Sequence, residues 1–62
     1  PDYWAESVKM ADEMGHEITV HKSAYHLGIF DYEEDKFLYD GPFTLPELHE
    51  KLISLRESED YQ

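Results

Sequence analysis

Tyr25 to Gly41, YHLGIFDYEEDKFLYDG, decides how this chain folds. It reads as two strands joined by an acidic loop. Successive side chains of a strand point to opposite faces, so Leu27 and Ile29 fall on one side and Phe30 and Tyr32 on the other. Both faces of the hairpin therefore carry large apolar groups. A chain of 62 residues can hardly cover both.

Upstream, Glu17 to His21 (EITVH) alternates as a strand, and Lys22 to Tyr25 forms a four-residue turn into the hairpin. That register sets Val20 opposite Leu27, Ile18 opposite Ile29 and His21 opposite His26. Apolar meets apolar throughout, and a one-residue slip would undo it. Downstream, Glu33 to Lys36 is read as the second loop. No Asn-Gly or Asp-Gly is present for a primed two-residue turn, so a longer loop around a type I turn fits. Tyr32 then faces Phe37 and Phe30 faces Tyr39, on the same side as the two histidines. Leu38 joins Ile18, Val20, Leu27 and Ile29 on the other. Asp40-Gly41-Pro42 ends the third strand, with Gly41 taken as a turn.

Residues 3–14 fit a helix with Asp2 as N-cap and Gly15 as the left-handed stop. Its apolar stripe is Trp4, Val8 and Ala11, widened by Met10 and Met14. Glu6–Lys9 and Lys9–Glu13 stand at pairing distance. Residues 45–56 form a second helix, announced by a Thr44/Glu47 capping box, a Phe43–Leu48 staple and Pro46 in the first turn. Leu45, Leu48, Leu52 and Leu55 make its stripe, and residues 57–62 read as a fraying tail. The expectation is one α+β domain over residues 1–62 in the order α-β-β-β-α. Strands at about 17–21, 26–32 and 37–40 form an antiparallel meander, with both helices on its aliphatic face. The same order occurs in the double-stranded-RNA-binding domain, which holds phosphates through basic residues; this chain has no basic patch, and the likeness ends at the order.

Fifteen Asp and Glu against five Lys and Arg give a formal charge of −10. Such a field repels phosphate backbones and anionic lipid, so direct nucleic-acid or membrane binding is not expected, and a basic partner is favoured. With no cysteine, the chain has neither disulfides nor thiolate metal ligands. No apolar run is long enough for a transmembrane helix or a signal-peptide core, and a cytoplasmic location is the default. Domains this small are marginally stable, which raises the expectation of a homodimer.

Little in the chain suggests catalysis. Ser7, Ser23, Ser54 and Ser58 stand in no nucleophile elbow, and the glycines form no phosphate-cradling loop. Glu33, Glu34 and Asp35 lack calcium-loop spacing and the burial that general acid–base work requires. His16, His21 and His26 recur every five residues, and His21 with His26 could begin a zinc or nickel site. No third ligand stands at fixed spacing, so the expectation is a non-enzyme with neither metal nor cofactor.

What remains is a surface. Phe30, Tyr32, Phe37 and Tyr39 form an aromatic sheet face, edged by Glu33, Glu34, Asp35 and Asp40. The favoured reading is a protein-binding module, an inhibitor or adaptor on a larger basic or nucleic-acid-binding protein. A sharper form has the carboxylates imitating nucleic-acid charge, as small phage-encoded inhibitors do. The alternatives are a metal- or pH-responsive regulatory domain built on His21 and His26, or a purely structural accessory subunit.

Overall fold

The computed structural model of the chain describes residues 2–42 and 44–60, the side chain of residue 60 excepted. The Asp2 carboxylate accepts from the Ala5 amide at 3.1 Å, and its carbonyl accepts from Glu6 at 3.1 Å. These bonds start α1, Tyr3–Glu13, and a cap of this kind is worth about 1 kcal/mol. Gly15, at φ +78°, turns the chain out of the helix. β1 (His16–His21), β2 (His26–Asp31) and β3 (Lys36–Pro42) follow, then α2 (Leu45–Asp60). The strands make one antiparallel sheet in the order β1-β2-β3.

Met10 and Ala11 of α1, Leu27 and Ile29 of β2, and Leu48 and Leu52 of α2 form the buried core. Leu27 and Ile29 share one side of β2, so both helices lie on that side. Each buried leucine contributes roughly 1.5–3 kcal/mol. The α+β architecture and the helix–meander–helix order are those the sequence predicts.

The first hairpin has the expected register, with Val20 opposite Leu27, Ile18 opposite Ile29 and His21 opposite His26. The second does not. Asp31 Oδ1 accepts from the Glu33 amide at 3.0 Å, an Asx turn that ends β2 one residue early. The loop is therefore Tyr32–Asp35 rather than Glu33–Lys36, with Asp35 left-handed at φ 57°. Asp31 pairs with Lys36 and Phe30 with Phe37, but Ile29 pairs with Tyr39. Leu38 is the extra residue, a β-bulge that changes the parity of everything after it.

Tyr39 consequently belongs to the helix side and packs against the core, as does Leu38. Its ring lies over Gly41, where no Cβ would fit. Gly41 is thus a strand residue opposite Leu27, not a turn, and β3 continues to Pro42.

Both helices also differ in detail. α1 buries Ser7, Met10 and Ala11 against α2 and the sheet, and leaves Trp4 and Val8 each 42% exposed. Glu6 does not turn to Lys9; its carboxylate meets His49 Nε2 at 3.1 Å. α2 runs to Asp60 rather than fraying after residue 56. Thr44 does supply the carbonyl for the first turn, accepting from the Leu48 amide at 3.1 Å. Its hydroxyl is buried without a partner among the described residues, so the side-chain half of the capping box is not made. The Phe43 staple lies outside the described residues.

Candidate functional site

The sheet face turned away from the helices is set out in three rows by the register. Glu17, Phe30 and Phe37 make the first, Thr19, Gly28 and Asp40 the second, and His21, His26 and Pro42 the third. Period-2 alternation puts these side chains on one side, and the bulge keeps Phe37 there while sending Tyr39 away.

Phe30 and Phe37 meet edge to face with ring centroids 5.1 Å apart, and Tyr32 meets Phe30 in the same way at 5.4 Å. That geometry sets the positive edge of one ring against the negative face of the next. The Tyr32 hydroxyl donates to the Glu17 carboxylate, tying the turn to β1 across the sheet. Tyr32 is 60% exposed and Phe37 52%, so the cluster is organised without being covered. Beside it Gly28 is buried beneath the Thr19 and Phe37 side chains. A Cβ on Gly28 would stand 2.5 Å from Thr19 Oγ1 and 3.2 Å from Phe37 Cε1, which is why glycine occupies this point.

The structure brings Phe30, Tyr32 and Phe37 together and separates Tyr39 from them. The carboxylates are divided. Glu33, Glu34 and Asp35 stand in the β2–β3 turn, where Glu34 pairs with Lys36 at 3.0 Å. Asp40 lies in the middle row, 3.5 Å from His26 Nδ1. Glu17, absent from the sequence-based site, belongs to it. Its place on the exposed side of β1, opposite Phe30, is the signal that finds it.

His21 and His26 are direct cross-strand neighbours. His16 is parted from them by strand parity and buried on the helix side. Its Nε2 donates to Glu59 Oε1 at 3.0 Å, and its Nδ1 stands 3.7 Å from Asp31 Oδ1 without a hydrogen-bond partner among the described residues. His49 packs on the Tyr3 ring at 5.2 Å and joins the two helices. Among the described residues, no group of three or more His, Asp or Glu is placed to hold a metal ion. No helix among them is long and apolar enough to cross a membrane.

Compared with protein-family models, curated proteins and solved structures, the chain matches none. Chemically the open face offers aromatic rings for stacking and cation–π contact, and carboxylates for basic groups.

Proposed function

We propose that this chain is a small acidic protein-binding module, an inhibitor or adaptor that docks on a basic surface of a larger protein, and not an enzyme. The observation that carries the reading is the cluster of Phe30, Tyr32 and Phe37, pre-packed yet more than half exposed at two of its members. Aromatic side chains concentrate binding energy because they bury large area with little rotamer freedom to lose. Glu17 and Asp40 on the same face, and a formal charge of −10, select for Lys and Arg in the partner. A nucleic-acid-binding groove is the basic surface such a charge fits best, which makes mimicry of nucleic acid the sharper form of the proposal.

The test is affinity capture from the source cell with the wild-type chain, a Tyr32→Ala/Phe37→Ala variant and a helix-side control, Glu50→Lys. The proposal expects a basic protein held by wild type and control, released by moderate salt, and lost from the aromatic variant. A partner retained equally by all three would overturn it. Charge reversal at Glu33, Glu34, Asp35 and Asp40 separates the two forms. If binding survives that reversal but not Tyr32→Ala, mimicry is wrong and aromatic docking stands.

A further inference from the structure

We infer that the outer edge of β1 is a self-association surface, through which two copies of this chain join their sheets about a twofold axis at Thr19. The sheet has two edges, and they are unlike. β3 carries Lys36, the Leu38 bulge and Pro42, each a feature that discourages strand addition. β1, HEITVH, has no proline, glycine, lysine or bulge across its six residues. Every second residue of such a strand keeps its amide and carbonyl directed outward, ready to pair.

The apolar surroundings of that edge are also unfinished. Val20, on the helix side of β1, is 39% exposed, and Trp4 and Val8 of α1 are each 42% exposed. A shallow cleft of about 280 Å³ lies between Trp4, Val8 and Ile18. These groups sit beside a core of six buried apolar residues among those described, in a domain small enough to gain from association.

The strand is complementary to itself in one antiparallel register. With Thr19 opposite Thr19 of the second copy, Ile18 meets Val20 on the helix side, and Glu17 meets His21 on the open side. Each contact occurs twice. Threonine pairs and apolar pairs are favourable cross-strand combinations, and an imidazole N–H can donate to a facing carboxylate. Helix side stays with helix side, so the two layers remain continuous. Centring on Ile18 instead would set His16 against Val20, and centring on Glu17 would oppose two carboxylates. The product is a six-stranded sheet in which Trp4 and Val8 of each copy add apolar area beside the strands. Both aromatic clusters are left free on one surface, so the dimer does not depend on the docking reading.

Light scattering over a dilution series tests this. Wild type is expected at twice 7.4 kDa. Val20→Lys, with its fold checked by circular dichroism, should raise the dimer dissociation constant at least tenfold. Phe37→Ala should leave it unchanged. Because the chain lacks cysteine, Thr19→Cys adds an independent readout. Under mild oxidation it should form a covalent dimer at least tenfold faster than Phe37→Cys, since directly opposed Cβ atoms are within disulfide reach. A monomeric wild type, a dimer indifferent to Val20→Lys, or equal crosslinking of the two cysteine variants would overturn the inference. Loss of the dimer in Phe37→Ala alone would do so too, placing self-association on the aromatic face.

Discussion

Ser7 is the residue least matched to its surroundings. It is fully buried in α1, and its hydroxyl has no partner among the described residues. Burying an unbonded hydroxyl costs roughly 1–3 kcal/mol on mutational scales, and alanine is also the better helix former. Ser7→Ala should therefore stabilise the fold by about 1 kcal/mol, raising the melting temperature by about 4–8 °C in a domain of this size. A fall in melting temperature would mean that Ser7 makes a bond the fold needs. Gly28 should respond in the opposite sense. Its added methyl would collide with Thr19 Oγ1 and crowd Phe37, so Gly28→Ala is expected to cost about 1–3 kcal/mol in denaturant unfolding.

At the scale of elements, the two hairpins show what the sequence made legible. In β1 and β2 the aliphatic residues alternate strictly, so only one register buries them together, and that register forms. Between β2 and β3 the pattern is ambiguous, because aromatic and aliphatic residues follow one another in Phe37-Leu38-Tyr39. There the outcome rests on the Asp31 side chain closing a turn and on a bulge at Leu38, neither marked by a distinctive residue. Three of the four aromatic site residues still reach the open face, because the parity change comes after Phe37. The end of α2 departs from the sequence expectation for a related reason. Its polar composition says nothing of His16, which is 43 residues away and holds Glu59. The parity His16 shares with Ile18 and Val20 was the available clue. Glu59→Ala should increase amide hydrogen exchange in the last turn of α2 and leave exchange at Leu48 and Leu52 nearly unchanged. Uniform protection along the helix would show that the His16 contact does not hold it.

For the whole molecule, two helices and three strands form a layer pair with one side finished and the other open. A core of this size cannot supply a third layer. The unfinished side carries the aromatic cluster, and on the proposed reading the formal charge of −10 favours a basic partner. Composition revealed the charge. It did not reveal that Glu17 is held by Tyr32, or that Asp40 stands beside His26 rather than with the turn carboxylates.

The most direct test of this account is to measure stability and partner retention together for Tyr32→Ala/Phe37→Ala. Both side chains are more than half exposed, so unfolding free energy should change by only about 1–2 kcal/mol while partner retention is lost. If the variant unfolds, the cluster is part of the fold. If it stays folded and keeps its partner, the open face is not the docking surface.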